Sequence, residues 1–489
     1  MKRRKIMADL PALTVAGEPI TLAEAAVQAL QGALHGELLC AGDNDYEEVR
    51  RVWNAMIDKR PTLIARCQGA ADVIAAVNFA RNHRLLVAVR GGGHNVAGLA
   101  VCDGGLMIDL SPMRGVWVDP VARTAQVQGG ATWRDVDYET QAFGLAVPGG
   151  VVSSTGVAGY TLGGGYGWLR SKYGLTCDSL RAVDVVTADG RLLRASADRH
   201  ADLFWGVQGG GGNYGVVTSF EFQLYPVGPQ VVLCAPIYPA AEAPRIYRAW
   251  RDFMAGAPEE FSCDADLWTF PAHPAYPPAL WNKDVILLPG VYCGPLEAGE
   301  ALIEPLRRLG EPLLDLSGRW PYLQVQQAFD PLFRKGEFAH YWKSLYVDRL
   351  DDAAIDLIFE HYLTRPSPRT LIPIRHLGGA THRAPNAAAA LSERSAPFLV
   401  SIDSTWQEPE ETDANIAWTR AFWAALQPYS PGKLYFNFPG LLEEGDALVR
   451  ATFGANYERL VALKNKYDPT NLFRLNQNIK PTAREERGL

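Results

Sequence analysis

The sequence predicts an α+β protein of two or three domains. Its 489 residues exceed the roughly 100–200 that one domain usually holds. Short strand-like runs and amphipathic helices follow one another along the whole chain. Pro226, Gly228 and Pro229 punctuate a point where the character of the chain changes. Hydrophobic residues make up 48% and charged residues 21%, which supplies a real core and argues against a long disordered tail.

In chain order, residues 1 to about 60 read as mostly helical, as in the run 22–33. A short buried strand at 62–66 precedes an amphipathic helix at 70–82, with Val73, Val77 and Ala80 on one face. A strand at 85–89 runs straight into Arg90-Gly91-Gly92-Gly93-His94-Asn95. Further short strands fall at 106–110, 116–118 and 124–128, and Gly144 ends a helix at 132–143. After a glycine-rich stretch, 148–174, strands at 183–187 and 191–194 flank Ala188-Asp189-Gly190, a hairpin signal. The segment 216–225 alternates like a half-buried strand. Beyond Pro229, strands at 231–238, 285–292, 342–347, 370–375 and 398–403 are interspersed with helices at 243–253, 298–309, 352–363 and 413–426. That mixture predicts a sheet covered by helices on one face. Trp268, Tyr276, Trp281 and Trp320 fall in loops, where they either pack ordinarily or, as a set, line a wide apolar pocket. No charged motif in 229–430 identifies a substrate.

Several classes are excluded. A net charge of -7 argues against a general nucleic-acid binder. No apolar run reaches the ~20 residues of a membrane span. Lys2-Arg3-Arg4-Lys5 imitates the start of a signal peptide, but Met7-Ala8-Asp9-Leu10-Pro11 is not the apolar stretch of about 7–15 residues that would follow. The expectation is an unexported, cytoplasmic protein. The seven cysteines form no C-x-x-C, there is no H-E-x-x-H, and no metal site is expected. The absence of G-x-S-x-G removes the usual nucleophile-elbow hydrolase signature.

The chemistry lies in the glycines. Residues 210–215 fit G-x-G-x-x-G by letter, but they follow a helix at 202–206 and open a strand, the reverse of a dinucleotide fingerprint. The 90–95 loop is more informative. Three successive glycines let backbone N–H groups converge on an anion, and Arg90 can add charge. The second cluster, 149–167, is too poor in large side chains to pack by itself. A large flat ligand would supply the missing apolar volume, and two such loops together suggest a flavin dinucleotide.

These residues carry a resemblance. Arg90 to Asn95 with Gly98, Asp103-Gly104-Gly105, Met107-Ile108-Asp109-Leu110, the cluster 148–167 and Lys172-Tyr173-Gly174-Leu175 match in order and spacing. So do Asp202-Leu203-Phe204-Trp205, residues 212–218, Tyr435-Phe436-Asn437 and the tail from Tyr467-Asp468-Pro469 through Phe473 to Ile479. Over about 55–225 and 430–481 the chain resembles the berberine-bridge-enzyme-like flavoprotein oxidases of the vanillyl-alcohol-oxidase/PCMH superfamily. The resemblance implies a bipartite PCMH-type FAD-binding domain, 1–228 (core about 57–227) with 431–489, and an inserted substrate domain at 229–430. It implies FAD with its pyrophosphate on Arg90–His94, covalently held through His94. It further implies cofactor contacts from Asn95, Gly98, Gly129, Gly150, Thr155, Gly156, Gly159, Gly163, Gly167, Gly215, Val217, Tyr435, Asn476 and Asn478. Many relatives add a second bond from a cysteine, but Val152 occupies that place and cannot make it. Cys177 is expected to be a core filler. The chain thus resembles singly linked members such as bacterial hydroxynicotine oxidases.

The resemblance also implies that Tyr435 faces the flavin from the substrate side and acts as base, with Asn437 beside it. A strand at 433–438 would point Tyr435 and Asn437 to one face. An ordinary tyrosine pKa near 10 requires a cationic or hydrogen-bonding neighbour for that work. Tyr166 is the second candidate. Three readings stay open: an oxidase passing electrons to oxygen, a dehydrogenase with another acceptor, and a flavin-loaded binding protein without turnover. Thr155, at a position where small residues leave room for oxygen, leans toward the first.

Overall fold

The computed structural model describes residues 9–274, 276–391 and 393–482. The basic amino-terminal run lies outside them. A four-stranded sheet takes the order Glu37–Leu39, Leu63–Arg66, Leu106–Asp109, Val87–Arg90, and its last three strands are parallel. Parallel neighbours need a crossover, which the helix Ala70–Asn82 supplies between Leu63–Arg66 and Val87–Arg90. Val73, Ala76 and Val77 of that helix are fully buried against Leu63, Ala65 and Ile108. A five-stranded antiparallel sheet follows, including Thr124–Gln128, Leu180–Val186 and Val216–Gln223.

The third sheet, in the cap formed by residues 230–426, has ten strands. Phe261–Thr269, Ile372–His376, Phe398–Trp406 and Ala339–Val347 lie side by side in it, all antiparallel. Helices Ala243–Met254, Asp352–Leu363 and Thr412–Leu426 cover one face, joined to it through Trp250, Ile246, Ile358 and Phe422. The opposite face looks toward the glycine loops. No helix among the described residues is long and apolar enough to cross a membrane.

Several expectations need correction. The first 60 residues are not mostly helical: Leu10–Leu13 and Pro19–Leu22 form a hairpin, and Glu37–Leu39 joins the parallel sheet. Strands of three or four residues are too short to display a period of two. The runs 231–238 and 285–292 each split, into Gln230–Cys234 with Pro236–Pro239 and Asp284–Leu287 with Gly290–Tyr292. Each break falls at or beside a proline, Pro236 and Pro289, which has no N–H for the ladder. Residues 433–438 form turns and irregular backbone instead of a strand. Phe261–Thr269 was not foreseen, because Asp264 and Asp266 hide an otherwise apolar, fully buried strand. Trp268 and Trp320 lie in strands, and none of the four cap aromatics lines the main cavity. Trp268 and Tyr276 pack with Phe270 in a separate cluster.

Candidate active site

One cavity of about 300 Å³ separates the two glycine clusters from the ten-stranded sheet. The strand Val87–Arg90 delivers the first loop into it. Arg90 itself turns back: its Nε and Nη2 bind Asp109 at 2.9 and 2.6 Å, and its Nη1 reaches the carbonyl of Val49. The charge foreseen for the loop is therefore neutralised by a buried carboxylate behind it. Gly91, Gly92, Gly93, His94 and Asn95 do line the cavity. The two clusters cross at Gly92 and Gly156, where a Cβ on Gly92 would lie 2.4 Å from the Gly156 nitrogen. Only paired glycines permit that approach.

Gly150, Val152, Thr155, Gly156, Gly159 and Gly163 continue the wall, with Gly215 and Val217 at the opposite end. Gly98, Gly129, Gly167 and Asn478 lie behind it. Gly129 backs onto the Val217 carbonyl and Gly167 onto that of Gly149. Cys177 is buried in the core and does not reach the cavity.

His94 opens onto the cavity beside Ser154, whose Oγ is 3.1 Å from its Nε2. A residue not singled out in the sequence fixes its ring: Trp53 is sandwiched between two imidazoles, His94 at 5.1 Å and His340 at 3.9 Å, both nearly parallel to it. Burial, with the Lys335 charge adding, lowers the His94 pKa to about 3 and keeps the ring neutral. The Trp53 backbone N–H donates to the Gly93 carbonyl at 3.0 Å, and its indole N–H donates to the Phe333 carbonyl at 2.8 Å. Asn54 donates to the His340 carbonyl at 2.8 Å, tying this loop to the cap sheet.

Across the cavity, Tyr435 accepts hydrogen bonds from the Gly165 N–H at 3.2 Å and from Asn437 Nδ2 at 2.6 Å. Asn437 also fills the space that a Cβ on Gly163 would occupy, 2.1 Å from its Oδ1. The two side chains meet without a strand, through the turn at Phe436. Tyr166 packs edge-on against Tyr435 at 4.9 Å, and its hydroxyl lies 3.2 Å from that of Tyr346. Burial raises both tyrosines, Tyr435 to about 12 even though Asn437, Arg375 and Gly165 pull the other way.

The tail closes the far end. Asn476 Nδ2 donates to the carbonyls of Gly212 and Phe473, while its buried Oδ1, like that of Asn478, has no hydrogen-bond partner among the described residues. Buried Lys464 holds this turn through Asp468 and the carbonyls of Asn213 and Phe473.

The cap face contributes what sequence reasoning missed. Asp264, Asp266, Arg375 and Asp403 all line the cavity from three adjacent strands. They are separated by up to about 140 positions, so no linear motif announces them; Asp264-Ala265-Asp266 inside an apolar run was the available signal. Burial raises the Asp403 carboxyl to about 6, opposed by Arg375 and by Ser401.

Loops that leave no room for a Cβ and an orphaned Asn476 oxygen at the cavity wall fit the flavin dinucleotide expected from the sequence. Comparison with known proteins agrees. The family described as FAD binding domain matches residues 61–196, and that described as berberine and berberine like matches 434–480. (R)-6-hydroxynicotine oxidase of Paenarthrobacter nicotinovorans is 30% identical over 478 residues, 92% of this chain and 97% of that one. An uncharacterized FAD-linked oxidoreductase of Bacillus subtilis, YgaK, is 30% identical over 465 residues, 92% of this chain and 98% of its own. The solved structure of 6-hydroxy-D-nicotine oxidase from Arthrobacter nicotinovorans superimposes with a TM-score of 0.81 at 26% identity, covering 91% of this chain and 98% of that one. The chain belongs to the berberine-bridge-enzyme-like family of FAD-linked oxidoreductases.

Proposed function

We propose that the protein is an FAD-dependent oxidase of a small alcohol, amine or phenolic metabolite, with oxygen as electron acceptor and hydrogen peroxide as product. FAD, when bound in this cavity, would supply the two-electron chemistry of the reaction. The observation that carries the reading is the single cavity walled by both glycine clusters and His94 on one side and by Tyr435, Asn437 and Tyr166 on the other. We read 1–228 and 431–489 as one flavin-binding domain with 229–430 inserted as the substrate domain.

His94 is the residue proposed to hold FAD covalently. Its neutral ring, fixed by Trp53, suits it to form such a bond, and Val152 at the cavity wall provides no second one. Asn476 offers its unpartnered Oδ1 at the cavity wall as an acceptor for the flavin, while Asn478 stands behind that wall. Tyr435 orients the substrate's O–H or N–H and assists loss of its proton; two donors on its oxygen favour the charged form that burial opposes. Seven free cysteines fit a reducing compartment, and the cytoplasm is the proposed location.

Two measurements test the reading. Acid-precipitated protein should stay yellow, with the flavin mass on a peptide containing His94; complete release into the supernatant would refute the linkage. Anaerobic addition of alcohols, phenols, amines and sugars should bleach the flavin with at least one of them, and air should restore the colour. Bleaching without rapid reoxidation would make the protein a dehydrogenase. No bleaching at all would make it a binding protein.

A further inference from the structure

The crossing of the two glycine loops at Gly92 and Gly156 brings His94 and Ser154 together, each two residues from the contact. The backbone on both sides of Ser154 is pinned. The residue is central to the turn 152–155, closed by the Thr155 N–H on the Val152 carbonyl at 3.0 Å. Before it, Ser153 is fully buried and its N–H donates to Asp330 Oδ1 at 2.7 Å. After it, the Thr155 carbonyl accepts from the Trp133 backbone N–H at 3.0 Å. His94 is held as firmly, with Trp53 stacked on its face. The Ser154 hydroxyl meets one ring nitrogen only, Nε2 at 3.1 Å. Among the described residues nothing hydrogen-bonds Nδ1, and the ring lines the cavity.

We propose that Ser154 is a positioning residue for the attachment of FAD to His94: its oxygen accepts from Nε2–H and so leaves the lone pair on Nδ1, the nitrogen that bonds the cofactor. This deepens the reading of a covalently held flavin and rests on it. A neutral imidazole carries one N–H, and the partner of that N–H decides which nitrogen is free to bond. With Ser154 donating instead, the proton would sit on Nδ1, where no described residue accepts it. The attachment replaces the ring N–H and one C–H of the flavin methyl group with a single N–C bond. Two hydrogens and two electrons leave, and molecular oxygen takes them as hydrogen peroxide. The Nδ1 lone pair enters the new bond, so the ring is positively charged until Nε2 gives up its proton. Burial and the Lys335 charge both disfavour that charge. A hydrogen bond from the charged ring is stronger than one from the neutral ring, so Ser154 helps most as the bond forms. Ser154 is also exposed, and its hydroxyl can pass the Nε2 proton on to solvent.

The time course of attachment tests this. Full-length protein from riboflavin-starved cells is supplied with FAD in air, and both total bound flavin and flavin retained after acid are followed. Ser154→Ala should bind as much FAD as the wild type. Its acid-retained share should grow roughly 10- to 100-fold more slowly, the usual weight of a hydrogen bond to a charged group. Ser154→Thr keeps the hydroxyl at an exposed position and should attach FAD at close to the wild-type rate. All three proteins should melt alike before FAD is added, because an exposed side chain contributes little to stability. Attachment in Ser154→Ala at the wild-type rate, equal slowing in Ser154→Thr, or loss of total FAD binding in Ser154→Ala would each overturn the proposal. Wild-type protein that retains no flavin after acid would refute the His94 linkage itself, and the proposal with it. Retention in the wild type makes the variants a test of Ser154 alone.

Discussion

Tyr435 receives two hydrogen bonds and is itself buried, so its hydroxyl sits between two opposing influences. The donors Asn437 and Gly165 fix the direction of the hydroxyl, while burial holds it in the phenol form at rest; the proposed role in proton transfer is open to a direct test. Tyr435→Phe removes only that hydroxyl. Anaerobic flavin reduction should slow by about 100- to 10,000-fold, the usual cost of losing a general acid or base. Flavin loading and reoxidation in air should change little. Tyr166→Phe is the matched control, because Tyr166 lies against the same ring and hydrogen-bonds Tyr346. If Tyr166→Phe slows reduction and Tyr435→Phe does not, the role passes to Tyr166; if neither does, the proton leaves through another group.

The glycine clusters act at the scale of elements, as two turns that must touch. Gly156→Ala would push a methyl into the Gly92 backbone, where the contact would be 2.3 Å. Such overpacking typically costs about 1–3 kcal/mol, and here it also parts the loops that shape the cavity. The variant should melt at a lower temperature and lose flavin. Gly159→Ala makes the opposite case. A Cβ there meets nothing within 4 Å, yet the residue lines the cavity. Its flavin-free form should melt like the wild type, while its flavin occupancy should fall. The two clusters were visible in the sequence as glycine spacing, although the crossing of Gly92 and Gly156 was not, and the helix Ala70–Asn82 and the strand Thr124–Gln128 were predicted to the residue. What was not visible depends on lateral strand pairing. Asp266 and Arg375 gain meaning only when Phe261–Thr269 pairs with Ile372–His376, and the turn holding Tyr435 beside Asn437 is shaped by contacts to Ser344 and Gly165, not by local periodicity. Trp53 likewise carries no motif; its place between His94 and His340 is set by strands nearly 290 residues away.

Across the whole molecule, the cap is latched to the flavin side by groups that titrate. Asp137, in the helix Trp133–Gln141, accepts from Gln326 Nε2 of the cap at 3.1 Å, and its other oxygen has no hydrogen-bond partner among the described residues. Burial raises its pKa to about 7 from an ordinary value of 3.8. The folded protein therefore holds the proton more tightly than the unfolded chain. That contribution is fully present below pH 3.8 and is lost as pH rises through about 7. Asp137→Asn should match the wild type at pH 4 and be more stable than it at pH 8, by up to about 4 kcal/mol, as read by denaturant or thermal unfolding. An equal gap between the two proteins at both pH values would show that Asp137 is ionised throughout. The bond between Asn476 and the Gly212 carbonyl spans 264 positions, and Gln477 anchors to Phe436 beside it. During translation, then, the anion loop and the second glycine cluster emerge and stand open long before their closing wall exists. The cavity first becomes whole when residues 476 and 477 arrive, and a ribosome stalled before them should carry a colourless chain.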